Sequence, residues 1–578
     1  VTEDVPEVAA IEGDMPAVTD LEGFTYLQRE RNGVLLGVYE TNPRHWMVDG
    51  ADWDYGMELI PEEIERISPE LSIGFERFPA LQKVGIKRWV NGAITFTPDG
   101  NPLVGPVPGV RNYWAACGVM AGFSQCAGIG LALANWIVDG DPGDDVFGMD
   151  VARFGPYASN DRYLRQTTGQ FYARRFLMAY PNEELPAGRP LKTTPSYDEL
   201  RLAGAQFGVV WGLEVPLYYA TDQPDFVENP TLDRSNAHPI VAAEVDAVRN
   251  HAGLYETAAY ARYEITGADA QSWLDHLLAS QMPSLGRTRL APMLNHAGRL
   301  MGDLSVTKLD EDRFWLVGSY YLQEWHQRWF RQQLPSTGVE LRNITDQWMG
   351  FSLSGPRSRE ILAKLTRDEI SHDAFPLFGC RMMDVGTSRA VVGRLSLTGE
   401  LGFEVTVPTD QQRSLLGQLR DAGSGYGMRL IGDRAIDSLR LEKAYGIWSA
   451  EFTQAYTPAM SGLDRFVAYD KPDFIGREAA VRERDNGPKQ RLVLLDIDAV
   501  DADASGDEGI WLEGKRVGFV TSGAYGHHVR RSLALAYVNR DVAETHPELV
   551  VDVVGEQRVA RILPEPPYDP KGSKLRSA

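Results

Sequence analysis

Ser396-Leu397-Thr398-Gly399-Glu400-Leu401-Gly402-Phe403-Glu404-Val405 is the stretch from which the fold reads outward. Its glycines permit a sharp turn. Glu404 then stands between apolar Phe403 and Val405, so strand alternation turns its carboxylate to one face. A carboxylate held there can accept two N–H bonds from an amino-pyrimidine edge, or it can face solvent on a half-exposed strand. Upstream, Met293-Leu294-Asn295-His296-Ala297-Gly298-Arg299-Leu300-Met301-Gly302-Asp303-Leu304-Ser305-Val306 puts Asp303 where a strand begins after a glycine-containing turn. Buried without a cation, that acid would have a raised pKa and could exchange a proton with a bound amine; the alternative is a turn or capping residue. Downstream, the spacing predicts a helix over 433–448 with Leu441, Ala444, Tyr445 and Trp448 on one stripe. Arg440 and Glu442 fall off that stripe, where an Arg is commonly a surface or structural ion-pair residue.

Around these motifs, helical patterns at 243–252 and 268–278 alternate with strands at 263–266, 303–308 and 314–318, an α+β arrangement. From Gln490 to Leu563 short strands with glycine turns suggest a small barrel or sandwich. At the other end, residues 25–40 read as a hairpin turning at Asn32-Gly33, a pair that favours a type I′ turn. Short helical stretches are expected at 61–67 and 78–84, and a strand region with turns at 90–107. Residues 147–213, rich in Tyr, Arg and Pro without a sustained period, look like an irregular connecting module. In Trp114-Ala115-Ala116-Cys117-Gly118-Val119-Met120-Ala121-Gly122 a strand ends, glycines let a ligand approach the backbone, and an apolar helix follows with its N-terminus at the turn. Such an end suits the anionic edge of a reduced flavin, and equally a core strand–helix unit packed by small residues.

Composition bounds the answer. At roughly 100 to 200 residues per domain, 578 residues allow about three to five domains. With 58 Lys and Arg against 80 Asp and Glu, the net charge of -22 repels phosphate backbones and anionic lipid, which argues against a nucleic-acid partner. Cys117, Cys126 and Cys380 show no CxxC spacing and the histidines no HExxH, so neither a disulfide framework nor a metal site is expected, and a reducing compartment fits. His527-His528 beside Gly526 reads as a polar turn. The charge-free stretch Tyr113 to Val138 has the length of a membrane span. Gly118, Gly122, Gly128, Ser124 and Gln125 break it into a buried strand, a turn and a buried helix, and no membrane insertion is expected. The acidic opening from Val1 carries no secretory signal, and the absent Met suggests a processed or partial chain.

Across these motifs, together with Val90-Asn91-Gly92, Thr97-Pro98-Asp99, Gly188-Arg189-Pro190-Leu191, Ser438-Leu439-Arg440-Leu441-Glu442-Lys443 and Phe474-Ile475-Gly476-Arg477, the chain resembles the dimethylglycine and sarcosine dehydrogenase/oxidase family. In that family an FAD-dependent amine oxidoreductase is fused to a folate domain like the T-protein of glycine cleavage. The resemblance implies an α+β multidomain chain: the C-terminal half of the oxidoreductase over 1–146, a connecting module over 147–215, a T-protein-like folate domain over 216–486 and a β-barrel over 487–578. It implies oxidation of a small N-methyl amine to an iminium by FAD, with capture of the one-carbon unit by tetrahydrofolate. Asp303 then matches the acid beside the folate reaction centre and Glu404 the residue holding the pterin. Arg440, Asn295 and Leu397 fall at further folate positions, and Gly118, Val119, Met120, Ala121 and Gly122 at the flavin ring.

Three departures accompany the resemblance. No GxGxxG turn for the FAD pyrophosphate occurs in the chain, so only a partial FAD site is expected, with the nucleotide-binding half missing or on a separate chain. Leu397 stands where many relatives carry a Tyr facing the folate. Glu256-Thr257-Ala258 stands where an Asp-x-Ser turn is common. The expected function is therefore a truncated or split FAD-dependent N-methylglycine dehydrogenase or oxidase in the cytoplasm, or in the mitochondrial matrix of a eukaryote. The alternatives are a stand-alone folate-dependent aminomethyl or methyl transferase and a non-catalytic regulatory homologue.

Overall fold

In the computed structural model, which describes residues 1–223 and 225–577, the expected hairpin is present with its turn displaced by one residue. Thr25–Glu30 pairs with Gly33–Val38 in the register Glu30↔Gly33. Arg31 and Asn32 therefore make the turn, and Arg31 takes the positive φ of 59°. Gly33 is needed for a different reason: a Cβ there would lie 2.6 Å from the Glu3 carbonyl oxygen.

The described residues form two compact units, one of 1–151, 156–179 and 185–189, the other of 152–155, 180–184 and 190 onward. In the first, the short helical stretch expected at 61–67 is the start of a 14-residue helix, Ile64–Arg77, and the one expected at 78–84 is the short 3-10 helix Pro79–Lys83. Leu71 and Gly74, one turn apart, form its buried side. Of the strand region expected over 90–107, only Leu103–Pro106 is a strand, paired with Trp114–Cys117. The helix Gly122–Asp139 ends at Gly140, whose φ of 78° lets its N–H return to Trp136 O. That helix is not buried all round. Ile129, Ala132 and Trp136 form one packed stripe, whereas Phe123, Leu131, Ile137 and Val138 are exposed; lack of charge alone does not place a residue in a core. Among the described residues no helix is long and apolar enough to cross a membrane. The stretch read as irregular contains the 13-residue helix Asp161–Ala173, opened by the Asn160 side chain accepting from Tyr163 N–H.

The second unit holds two large sheets and a barrel. The five-stranded antiparallel sheet runs Thr288–Leu294, Leu300–Asp310, Arg313–Ser319, Tyr260–Thr266, Glu340–Asn343. The six-stranded sheet runs Cys380–Val385, Ser388–Gly393, Gly402–Pro408, Trp348–Ser354, Ala252–Glu256, Met428–Leu430, with only the last pair parallel. Leu254, Phe351, Leu353, Phe403 and Val405 fill its core against Leu415, Leu416 and Leu419 of the helix Gln412–Gly423. Six strands between Gln490 and Leu563 close the terminal barrel. The helix expected over 433–448 stops at Leu441. Glu442 is held by ion pairing and Ala444 adopts φ 55°, so Ala444, Tyr445 and Trp448 lie beyond the helix and not on its stripe.

Candidate functional site

The short segment 257–259 crosses from the last residue of Ala252–Glu256, in one sheet, to the first of Tyr260–Thr266, in the other. Arg262 fastens this crossing: its guanidinium donates to Thr257 O at 2.8 Å and Tyr260 O at 3.1 Å, and its own N–H donates to Thr345 Oγ1. Tyr260 is thereby held within electrostatic reach of Glu404, Asp433 and Asp303, which lie on three different elements. Burial, and then these carboxylates, raise its pKa.

Asp303 is not at a strand's beginning. It is the fourth residue of Leu300–Asp310, opposite Pro292. A Cβ on Gly302 would lie 3.1 Å from His326 Nε2, so alternation sends Asp303 to the other face of the sheet. Asp303 is half-buried, and burial pushes its carboxyl up to about 6. Glu404, opposite Ser352, is likewise half-buried. Burial pushes it up to about 7, with Arg262 acting in the opposite sense. Among the described residues neither carboxylate accepts a hydrogen bond from another residue. Half-buried and without a donor from another described residue, these two carboxylates are open acceptors. Asp433, the first residue of the helix Asp433–Leu441, accepts the Tyr255 hydroxyl at 2.5 Å; burial nevertheless lifts it to about 7.

Other expected site residues lie elsewhere or are already engaged. Arg440 is buried and its donors go to Asp437, Tyr445 O, Glu451 and Ser522, which makes it an anchor between the helix and the barrel and leaves it little capacity for a ligand. Asn295 Oδ1 accepts from Arg299 N–H and closes the turn before Asp303's strand. Leu397 is exposed on the loop that precedes Glu404. Glu256 points away from the open acids and accepts from Thr194, Ser196 and Gln412, so its departure from Asp-x-Ser is absorbed structurally. In the first unit, Gly118 takes φ 66° and a Cβ there would meet Thr97 at 2.8 Å. Gly122 opens the following helix with nothing within 4 Å of a Cβ position and no side-chain cap. Tyr260 and Arg262 were not singled out from the sequence, although their i, i+2 spacing on a strand beside 256–258 was the available signal.

The geometry defines a class: two sheets and a closed barrel in one unit, with half-buried carboxylates on the sheets that accept no hydrogen bond from another described residue. Family models match accordingly, the GCVT N-terminal domain at 196–471, the glycine cleavage T-protein C-terminal barrel domain at 490–569, the FAD dependent oxidoreductase central domain at 139–194 and the FAD dependent oxidoreductase at 1–136. The mitochondrial dimethylglycine dehydrogenases of Mus musculus and Rattus norvegicus are 34% and 33% identical over 98% of this chain, covering 66% and 67% of their own length. The chain belongs to the dimethylglycine and sarcosine dehydrogenase family, and it spans about two thirds of the length of these relatives. The crystal structure of glycine cleavage system aminomethyltransferase T from Bartonella henselae shares the fold of the second part, with a TM-score of 0.58 at 23% identity over 66% of this chain and 99% of that one.

Proposed function

We propose that the chain takes part in FAD-dependent oxidation of a small N-methylated glycine and that its T-protein-like part transfers the released one-carbon unit to tetrahydrofolate. The observation that carries this reading is the pair of open carboxylates, Asp303 and Glu404, grouped around Tyr260. Glu404 offers two acceptor oxygens to the N–H edge of a pterin. Asp303, raised only to about 6, is largely ionised at neutral pH and can accept a proton from an amine nitrogen beside it. FAD, when bound, supplies the acceptor for the hydride of the amine's C–H bond. The Gly118–Gly122 turn fits a flavin's polar edge, because the helix that starts there has no side-chain cap. No GxGxxG turn for the pyrophosphate occurs in the sequence. All three cysteines are free, which supports a reducing compartment such as the cytosol or the mitochondrial matrix.

Asp303→Asn tests the reading, since it keeps the shape and removes the basicity. Formation of methylenetetrahydrofolate from supplied formaldehyde and tetrahydrofolate should fall by ~100- to 10,000-fold, the range of a general base, at an unchanged melting temperature. Turnover within about two-fold of the parent, far below that range, would leave Asp303 without a catalytic role and favour a non-catalytic homologue.

A further inference from the structure

The residues after the barrel return to the six-stranded sheet. Tyr568 N–H donates to Glu442 O, Lys443 donates to Tyr568 O and Asp569 O, and the Tyr568 ring lies beneath the Arg249 guanidinium at 3.6 Å. The Tyr568 hydroxyl donates to Glu400, at the base of the loop that carries Leu397 and leads into Glu404. Arg249 binds the same loop, through Glu400 Oε1 and Thr398 O, both at 2.8 Å. From Glu400 a continuous polar path runs on: Glu400 N–H to Thr398 Oγ1, then Ser396 Oγ at 2.7 Å, Ser354 Oγ at 3.1 Å and Ser352 Oγ at 3.3 Å. Ser352 is the cross-strand neighbour of Glu404, so their side chains share a face.

We infer that Tyr568 is a positioning residue for the pterin-binding face: its hydroxyl fixes Glu400, and through Thr398 and Ser396 it fixes the row of hydroxyls beside Glu404. The ligand does not touch Tyr568. The phenol acts by removing alternative loop conformations that binding would otherwise have to order. Gly399, at φ 79° with a Cβ position 2.6 Å from the Lys443 side chain, bends the loop so that Glu400 can meet Tyr568. The inference rests on the folate reading and adds to it a residue more than 160 positions away in the chain.

Tyr568→Phe keeps the ring under Arg249 and removes one hydrogen bond. Tetrahydrofolate titrated into the full chain should bind roughly 3- to 10-fold more weakly, the range for one such bond. In a Glu404→Gln background the same change should cost under about two-fold, because coupled sites are non-additive. Amide exchange of 396–402 in the unliganded protein should accelerate while the barrel strand Arg531–Asn539 stays protected; a purely structural role would leave affinity alone. Thr398→Val, which cuts the path between Glu400 and Ser396, should weaken binding similarly, and it carries the test if Tyr568→Phe does not fold. Binding by the parent with unchanged affinity in both variants overturns this inference alone. Absence of binding by the parent overturns the folate reading and this inference with it.

Discussion

Glu400 and Glu404 are four positions apart, and their surroundings are opposite. Glu400 is buried against Arg249 and Tyr568, and the same guanidinium reaches Glu442 at 2.6 Å, so two buried acids share one buried cation. Glu442 also accepts the N–H groups of His528 and Val529, which joins the barrel to the helix after Asp433. Glu404 is half-buried, and Arg262, the cation that acts on it, gives its own donors to backbone carbonyls. The difference separates two uses of a buried acid. One is neutralised by the fold and holds elements together; the other is left with vacant acceptor sites at a small cost in stability, which binding can recover.

The largest effect expected from this contrast is on the closed side. Arg249→Met keeps length and apolar volume but strands Glu400 and Glu442, whose side chains are 3% and 0% exposed. Removing one member of a buried ionic group costs ~3 to 5 kcal/mol, to be read from urea denaturation at neutral pH. A loss below ~1 kcal/mol would mean that water reaches these acids and that the contrast with Glu404 is unfounded.

Next come the two glutamates themselves. Glu404→Gln should weaken tetrahydrofolate by ~10- to 100-fold, the consequence of losing a charged acceptor worth ~1.5 to 3 kcal/mol, without loss of stability. Glu400→Gln should do the reverse, lowering the denaturation midpoint and changing affinity less. Calorimetric titration and melting of both variants decide the matter. If Glu400→Gln weakens binding as much as Glu404→Gln while melting unchanged, the assignment of the pterin carboxylate moves to Glu400.

Local pattern made part of this contrast legible. The Gly-containing turn and the alternation around Phe403, Glu404 and Val405 placed Glu404 on a strand face, and the α+β alternation gave the strands that carry Asp303 and Tyr263. The short strands after Gln490 already suggested a barrel or sandwich, and the family resemblance implied an α+β folate domain before it; that this domain is built on two separate sheets, in one unit with the barrel, is seen only in the structure. What stayed hidden depends on long-range contact. Nothing in the text around Arg249 or Tyr568 says that they meet over Glu400, 151 and 168 positions away respectively. Arg440 illustrates the same limit, since its partner Ser522 belongs to the barrel. Tertiary forces also overrode the apolar period of 433–448, because the pairing of Glu442 with Arg249 and the positive φ of Ala444 ended the helix early. In the hairpin at 31–33 a close backbone approach, and not turn chemistry, decided where glycine was needed.

The smallest effect is the most discriminating, because it has a sign. Glu404's carboxyl is raised by burial from 4.5 to about 7, so the folded protein holds a proton that the unfolded chain has released between about pH 4.5 and 7. Its contribution to stability is therefore full below about 4.5 and is lost as pH rises through 7. Gln carries no such proton. The stability of Glu404→Gln relative to the parent should accordingly rise with pH across this window and level off above it. Asp303, raised from 3.8 to about 6, should give Asp303→Asn the same trend over a window about one unit lower. Tetrahydrofolate reverses the balance at Glu404, since N–H donors favour the ionised carboxylate. Parent affinity should climb as Glu404 ionises and then flatten, and the climb should be absent in Glu404→Gln. Parent and variant stabilities that run parallel from about pH 4.5 to 8, beyond both carboxyl windows, would show that Glu404 is solvated like an ordinary surface acid. Glu404 would then be no more reserved for a ligand than any exposed carboxylate on the chain.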